Sequence, residues 1–389
     1  MRKAPSIAIV GAGIGGLAVA ATLRHVGLDA TVYEQAETFA RVGAGIQQSP
    51  NAVKVHRGLG IEERLRAVAF APTSSLNREA MTGKVSNDHP WGRAVEERYG
   101  APYLTLHRGD LHAALADIVP EPSVIRGKKL VGIEARGPRV ELSFADGAQV
   151  EADIVIGADG THSIVREYVT GPEQARFSGR LAYRTTFPAS RLRGVDIGTP
   201  RTKWWGKDRH IVIYYVTAAR DEIYFTTSVP ERADWTTRES WSMKGDLAEM
   251  RAAFAHFHSD AQAVLTAAPD VHKWGIYERD PLPAWSKGRV VLLGDACHPM
   301  TPYMASGAAM ALEDAVVLAR CLHDCESPEA AFRTYEATRK PRASTVQAGS
   351  SANTWMRNET NPDWLYGYDA WRVPLRSKKA ALASTYWEA

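Results

Sequence analysis

The chain has 389 residues, 45% of them hydrophobic and 23% charged, which is an ordinary globular composition with room for two domains. Its 47 basic and 44 acidic residues nearly balance, which argues against a dedicated nucleic-acid-binding protein. No stretch reaches the ~20 apolar residues of a membrane span, and the three cysteines indicate neither a disulfide framework nor a metal site. We therefore expect a cytoplasmic protein.

A β-α-β unit begins the chain. Residues 7–10 form an apolar run typical of a buried parallel strand, residues 17–23 favour a helix, and residues 30–34 favour a second strand. Because the unit is compact, it predicts a parallel sheet with a right-handed crossover.

The turn between the first strand and the helix has the pattern G-x-G-x-x-G, and its glycines are Gly11, Gly13, Gly15 and Gly16. Such glycines permit a tight turn, a close approach of the backbone to a pyrophosphate, and close packing of the helix on the strand. Glu34 ends the second strand, where a carboxylate can accept hydrogen bonds from a ribose hydroxyl. An acidic residue here disfavours a 2′-phosphate, so the unit predicts a site for FAD or NAD(H).

Sheet and helix patterns continue along the chain. Strand patterns cover residues 140–144, 154–157, 210–215, 222–227 and 290–294, a β-meander covers residues 127–155, and helical patterns cover residues 246–265 and 308–323. The chain therefore leaves the nucleotide-binding sheet and returns to it. We predict a dinucleotide-binding domain of residues 1–75, 100–176 and 276–345, a second domain of residues 76–99 and 177–275, and a C-terminal segment of residues 346–389.

Two further stretches place an aspartate directly after a predicted strand, Asp159-Gly160 and Gly294-Asp295. Together with the glycine turn, in this order and at these distances, they resemble the group A flavin monooxygenases, the single-component aromatic hydroxylases related to p-hydroxybenzoate and salicylate hydroxylases. The resemblance covers nearly the whole chain. It implies an α/β fold in which a Rossmann-like FAD-binding domain of the glutathione-reductase type is interleaved with a β-sheet substrate domain and followed by a C-terminal helical segment.

The resemblance also implies contacts with FAD. Asp295 would bind the ribityl chain of the flavin, and Asp159 would lie near the pyrophosphate. Both could instead cap the helices that follow them, because Asp is a good helix N-cap. The other implied contacts are Arg41, Arg108, the backbone of Val131, and the amides of Gly307 and Ala308. Ser306 stands where the family usually has Gln, so we expect different contacts at the pyrimidine edge of the flavin.

The family's reaction is implied as well. NADH, bound transiently, reduces FAD, oxygen adds at the flavin C4a position, and the hydroperoxide transfers oxygen to an electron-rich aromatic ring. A phenol or hydroxypyridine is activated by losing its proton, so a general base or proton relay is needed near the hydroxyl. The chain has no second G-x-G-x-x-G, and NADH rather than NADPH is inferred from relatives.

Within the family the chain resembles the 6-hydroxynicotinate 3-monooxygenases, which hydroxylate and decarboxylate their substrate, in stretches such as residues 203–215, 353–355 and 366–369. His210 and Tyr214 lie an even number of positions apart on a predicted strand and so share a face. If that face lines the pocket, His210 would accept or relay the hydroxyl proton of the substrate, and Tyr214 would hydrogen-bond beside it. Otherwise they are a strand histidine and a packing aromatic residue.

Three pocket positions depart from those relatives. Gln47 and Tyr303 stand where they have histidines, and Arg201 stands where they have a cysteine. We hypothesise that Arg201 pairs with a ring carboxylate, for which a guanidinium is suited, and that Gln47 and Tyr303 orient the ring. The substrate would be a hydroxylated pyridine carboxylate such as 6-hydroxynicotinate, or else 6-hydroxypicolinate or a hydroxybenzoate such as salicylate.

Two other readings remain open. One is a different flavoenzyme on the same scaffold, such as an epoxidase, a reductase or a halogenase, although the Trp204-Trp205 pair does not match the tryptophan motif of halogenases. The other is a non-catalytic FAD-binding redox sensor. For the monooxygenase we expect a small aromatic acid as substrate, neither nucleic acid nor a membrane as partner, and a monomer or homodimer.

Overall fold

The computed structural model of the protein describes residues 5–39, 44–232 and 243–376. The strands of these residues are β1 (Ile7–Val10), β2 (Ala30–Tyr33), β3 (Gly45–Gln48), β4 (Ser74–Glu79), β5 (Val85–Pro90), β6 (Leu104–His107), β7 (Val124–Ile125), β8 (Leu130–Arg136), β9 (Arg139–Phe144), β10 (Gln149–Ala152), β11 (Ile154–Gly157), β12 (Arg176–Pro188), β13 (Arg201–Trp205), β14 (His210–Tyr215), β15 (Glu222–Pro230), β16 (His272–Glu278), β17 (Ser286–Lys287) and β18 (Val290–Leu292).

The helices of the same residues are α1 (Ile14–His25), α2 (Pro50–Gly58), α3 (Glu62–Val68), α4 (Gly92–Tyr99), α5 (Arg108–Ala116), α6 (Ile164–Thr170), α7 (Leu247–Ala253), α8 (Ser259–Ala267), α9 (Gly307–Asp324), α10 (Pro328–Ser351) and α11 (Asp363–Tyr366). Short 3₁₀ turns lie at Glu121–Ser123, Ala189–Leu192, Gly294–Ala296 and Pro302–Met304.

A six-stranded sheet in the order β17-β18-β11-β1-β2-β7 holds the predicted dinucleotide unit. β1 pairs in parallel with β2 and β11, and β11 pairs in parallel with β18. β1, β11 and β18 are short and buried, as their apolar runs predict, and the second half of β2 is buried. Because they are parallel, their carboxyl ends meet at one edge, and the glycine turn, Glu34 and the loops at Asp159 and Asp295 all start there. The α/β fold predicted from sequence is confirmed.

A seven-stranded sheet in the order β16-β12-β15-β14-β13-β4-β5 forms the second layer. It is antiparallel except where β13 pairs in parallel with β4. One face carries apolar side chains such as Ile211 and Phe225, which belong to one core cluster with Phe254 and residues of α7 and α8. Side chains alternate across a strand, so the other face carries the residues between these, and that face meets the FAD-binding layer.

Residues 246–265, predicted as one helical stretch, form two helices, α7 and α8. The break buries Phe254 and Phe257, whose rings meet edge to face with centroids 5.0 Å apart. Asp246 caps α7 through the amides of Ala248 and Glu249. The predicted helical stretch is therefore interrupted where these two rings pack together.

Residues 352–376, the described part of the chain after α10, pack on the body of the protein, as the aromatic content of this segment predicts. The Lys54 ammonium donates to the carbonyls of Tyr366, Gly367 and Tyr368 at 3.1–3.4 Å. The domain division drawn from sequence stays a prediction, and its boundary at residue 346 falls inside α10. Among the described helices, none has the length and apolar character needed to cross a bilayer.

Candidate active site

A cavity of about 810 Å³ lies between the two layers. Its walls come from five parts of the chain: the glycine turn, the end of β2, strand β3, the two aspartate loops, and the inner face of the seven-stranded sheet. Predicted site residues on its wall are Gly11, Gly13, Glu34, Gln47, Arg108, Asp159, Tyr214, Asp295, Gly307 and Ala308. The fold therefore brings together residues from all three sequence motifs.

The glycine turn closes one end of the cavity. Gly11 has a φ of +100°, and a Cβ there would lie 2.5 Å from the carbonyl oxygen of Ala158, so a side chain would push the two loops apart. A Cβ on Gly13 would meet no atom within 4 Å, which shows that the backbone borders open space at the start of α1. A phosphate can approach the backbone and the helix N-terminus at this point. Gly15 and Gly16 lie behind the cavity wall.

Glu34 is held rigidly at the mouth of this turn. Its carboxylate accepts hydrogen bonds from the amides of Ala12 at 2.7 Å and Ala36 at 2.8 Å. Each carboxylate oxygen can accept more than one hydrogen bond, so a ribose hydroxyl can still be bound. The geometry suits the role predicted for Glu34.

Asp159 caps a helix, and its contact with the cofactor stays a prediction. It accepts hydrogen bonds from the amides of Ile164 at 2.8 Å and Val165 at 3.2 Å, and so caps α6. It also lies on the cavity wall. Burial raises the pKa of its carboxyl, although hydrogen bonds from Ser163 and the helix amides oppose this effect. The capping contacts fix the loop that faces the pyrophosphate region.

The Asp295 loop faces the N-terminus of α9. A Cβ on Gly307 would lie 3.7 Å from the Asp295 carboxylate, so the first turn of an 18-residue helix begins beside it. Ser306 does not cap this helix, because its hydroxyl donates to the carbonyl of Met304 at 2.9 Å. Ala305, with a φ of +51°, turns the chain into the helix. These residues can present backbone amides to the flavin without the usual Gln.

The remaining FAD positions differ in how directly they reach the cavity. Arg108, the first residue of α5, lies on its wall. Val131 is 53% exposed on β8 and does not line the cavity, while its neighbour Leu130 does. Arg41 lies outside the described residues. A connected cradle with open space at Gly13 and carboxylates at both ends fits an extended dinucleotide, and FAD is the cofactor of this fold.

The inner face of the seven-stranded sheet forms the other end of the cavity. Gln47 and Tyr214 lie on the wall there. The Gln47 side chain accepts a hydrogen bond from the Tyr103 hydroxyl at 2.8 Å and also hydrogen-bonds to Tyr214. Burial raises the pKa of the Tyr214 phenol well above its ordinary value. Tyr214 therefore acts as a neutral hydrogen-bonding group.

The cavity wall does not include His210, Arg201 or Tyr303, which are buried. His210 is buried, its ring meets that of Tyr303 edge to face at 5.6 Å, and the Tyr303 hydroxyl hydrogen-bonds to Ser228 at 3.0 Å. Arg201 donates to the Ser75 hydroxyl at 3.1 Å, and its Nε is buried without a hydrogen-bond partner. The structure thus groups these residues, and their contacts with substrate stay a prediction.

The sequence reasoning missed several residues of this face. Arg184, Tyr224, Thr226 and Trp274 lie on the cavity wall. Lys203 is 2% exposed on β13, and its ammonium lies 3.7 Å from the centre of the Trp205 ring. Alternation along the strands could have found Lys203, because it lies two residues from Arg201 on the same face.

The chain belongs to the FAD binding domain family, whose model matches residues 4–350. Within this family it is an FAD-dependent monooxygenase. It is 46% identical over 387 residues to 6-hydroxynicotinate 3-monooxygenase of Pseudomonas fluorescens, covering 99% of this chain and 100% of the relative. It is 40% identical over 343 residues to 3-amino-4-hydroxybenzoate 2-monooxygenase of Streptomyces cremeus, covering 87% and 84% of the two chains.

Solved structures show the same fold. The crystal structure of Klebsiella pneumoniae HpxO complexed with FAD and uric acid superimposes with a TM-score of 0.80 at 27% identity, over 90% of this chain and 87% of that one. The family and cofactor predicted from the three motifs are therefore confirmed.

Proposed function

We propose that this monooxygenase hydroxylates a ring-hydroxylated pyridine carboxylate of the 6-hydroxynicotinate type, with loss of the carboxylate, using NADH and O2. One observation carries the proposal. Arg201 is 6% exposed, and no carboxylate of the described residues forms an ion pair with it. A buried guanidinium without a counter-ion is costly unless a ligand supplies the negative charge. The high identity to the Pseudomonas enzyme supports a substrate of the same class.

Each side chain of the pocket has a role in this proposal. Arg201 holds the ring carboxylate, because a guanidinium binds two oxygens at once. Gln47 and Tyr303 orient the ring, and Tyr214 donates a hydrogen bond beside the ring hydroxyl. His210 contacts that hydroxyl and relays its proton.

The chemistry depends on the dryness of this pocket. FAD, when bound and reduced, supplies the activated oxygen. The protein keeps water from the reacting ring with buried side chains, among them His210 at 4% and Tyr214 at 2% exposed. A dry pocket also strengthens the pairing of Arg201 with a carboxylate.

The proposal is tested by following NADH consumption with a panel of aromatic acids and identifying products by mass spectrometry. We expect 6-hydroxynicotinate to stimulate NADH oxidation and to give dihydroxypyridine and carbon dioxide in proportion. If only 6-hydroxypicolinate or salicylate gives a hydroxylated product, that acid defines the substrate class instead. NADH consumption that yields hydrogen peroxide with every acid would contradict hydroxylation. A yellow protein without donor-stimulated turnover would support the redox sensor.

We also propose that the enzyme works in the cytoplasm as a monomer or homodimer. Size-exclusion chromatography with light scattering decides between the two oligomeric states.

A further inference from the structure

Lys203 occupies a central position on the inner face of the seven-stranded sheet. β13 and β14 are antiparallel, with Lys203 opposite Val212 and Trp205 opposite His210. Lys203 is therefore a diagonal neighbour of both His210 and Tyr214, at a separation that a lysine side chain can bridge. It lies between the two residues predicted to contact the ring hydroxyl.

The surroundings of Lys203 are cationic. Burial lowers the pKa of its ammonium well below the ordinary value, and Arg201, Arg357 and Arg180 lower it further. His210, the titratable neighbour on β14, carries no negative charge. No carboxylate of the described residues forms an ion pair with Lys203. A second positive charge beside Arg201 is disfavoured, so the free protein favours the neutral amine.

We propose that Lys203 is the proton acceptor for the ring hydroxyl, and that the substrate carboxylate, once bound to Arg201, makes it a strong one. This proposal rests on the proposed function, because it needs the carboxylate at Arg201. The carboxylate neutralises the guanidinium and so removes the repulsion that Arg201 exerts on a protonated Lys203. The base then gains its affinity for a proton when the correct substrate is in place.

The proton moves from the ring hydroxyl to Lys203 within the enzyme–substrate complex. The O–H bond of the ring hydroxyl breaks, directly or through His210, and its electron pair stays on the ring oxygen. An N–H bond forms at Lys203 Nζ, which leaves an ammonium beside the ring oxide and a guanidinium beside the carboxylate. Two buried cations are then matched by two negative charges of the ligand.

His210 is less suited to hold the proton. Burial lowers the pKa of its imidazole well below the ordinary value, and Lys203, Arg180, Arg201 and Arg357 lower it further. An amine has an intrinsically higher proton affinity than an imidazole. A proton relayed through His210 therefore ends on Lys203.

The test uses three ligands on the FAD-loaded enzyme: 6-hydroxynicotinate, nicotinate without the hydroxyl, and 2-hydroxypyridine without the carboxylate. Ring absorbance reports ionisation of the bound hydroxyl. We expect 6-hydroxynicotinate to bind ionised near neutral pH, and 2-hydroxypyridine to stay neutral when bound. Salicylate, benzoate and phenol form the equivalent series for a hydroxybenzoate substrate.

The variants are Lys203→Met, which removes the amine, and Lys203→Arg, which keeps a charge that cannot be deprotonated. Lys203→Met should bind 6-hydroxynicotinate un-ionised. Both variants lack a group that can accept the proton, so both should lose about 100-fold in kcat near neutral pH, with recovery at high pH. Lys207→Met is the control, because Lys207 is exposed in the turn between β13 and β14. It should behave as the wild type.

The outcomes separate the two proposals. An ionised ligand and wild-type turnover in Lys203→Met, or full rescue by Lys203→Arg, would overturn the assignment of Lys203 as the base. Unchanged nicotinate affinity in Lys203→Met shows an intact pocket, and if that variant does not fold, Lys203→Arg decides alone. Failure of the wild type to bind either pyridine acid would instead contradict the substrate class, and the salicylate series then tests Lys203.

Discussion

The protein buries basic side chains in two regions, and only those of the first region are paired with carboxylates of the described residues. Between α9 and α10, Arg339 is fully buried with Nη1 2.5 Å from Glu313 and Nε 2.8 Å from Asp314. On β13, Arg201 and Lys203 are also buried, but no carboxylate of the described residues forms an ion pair with them. The buried charges between α9 and α10 are paired within the chain. In our proposal, a bound ligand supplies the negative charge that pairs with Arg201.

The paired region also holds the flavin loop. Burial favours a protonated Asp314, but His298 and Arg339 outweigh this effect and lower its pKa to about 2. The same carboxylate accepts a hydrogen bond from the amide of Gly294 at 3.1 Å. The network therefore fixes the start of the loop that carries Asp295, and its charge balance is complete without a ligand.

Breaking the paired region should have the largest effect. Arg339→Met leaves Glu313 and Asp314 buried with fewer counter-charges, and we expect a loss of about 3–5 kcal/mol in the free energy of unfolding. Chemical denaturation measures it. Arg333→Met, on the exposed side of α10, should change stability by less than about 0.5 kcal/mol. A loss in Arg339→Met no larger than in this control would show that the network is dispensable.

Removing a cation from the unpaired region should spare the fold. Arg201→Met leaves no buried carboxylate without a partner, so we expect unchanged or higher stability and nicotinate affinity about 100-fold weaker. Thermal melting and titration of the flavin absorbance measure the two quantities. Arg191→Met, at an exposed position, should alter neither. Unchanged nicotinate binding in Arg201→Met would show that Arg201 does not bind the substrate carboxylate.

The paired region should also respond to acid. Asp314 has a pKa lowered from 3.8 to about 2 in the folded state, so its contribution is complete above pH 3.8 and is lost as pH falls through about 2. The linkage amounts to about 2 kcal/mol. Stability of the wild type and of Asp314→Asn, measured against pH, should converge across this window. A constant difference between them would contradict the lowered pKa.

The smallest effect concerns a neutral contact at the pocket. Tyr103→Phe removes the hydrogen bond to Gln47, worth about 1 kcal/mol, and should raise KM for the acid about fivefold without changing FAD content. Tyr335→Phe is the matched variant, because its hydroxyl contacts the carbonyl of Leu292 away from the pocket. Tyr335→Phe should lower stability and leave KM unchanged. If the two variants change KM equally, the proposal that Gln47 orients the ring is contradicted.

Local patterns in the sequence predicted the cofactor half of the site well. The glycine turn, Glu34 and the two aspartate loops each follow a strand directly, and parallel pairing brings strand ends together. These positions depend on neighbours in sequence and on one topological rule. The family and its FAD cofactor could therefore be predicted from sequence, and both are confirmed. The individual contacts with FAD stay predictions.

The substrate half was harder to predict, for a physical reason. Arg184 and Thr226 reach their places through cross-strand pairing, which sequence alternation alone does not register. Alternation places Lys203 on the same face as Arg201 but does not show which strands pair beside it. Whether Lys203 has a counter-ion depends on strands from distant parts of the chain. The charge balance of a pocket is a tertiary property, so the sequence named Arg201 by resemblance and overlooked the lysine beside it.

The parallel pairing of β13 with β4 has a consequence for how such enzymes diverge. Arg201 lies on β13, but its hydroxyl partner Ser75 lies on β4, and Gln47 and Tyr303 come from still other segments. Exchanging residues 177–275 between relatives would therefore carry over only part of a recognition site. New specificity on this scaffold should arise through scattered point substitutions inherited together, rather than through the shuffling of one contiguous module.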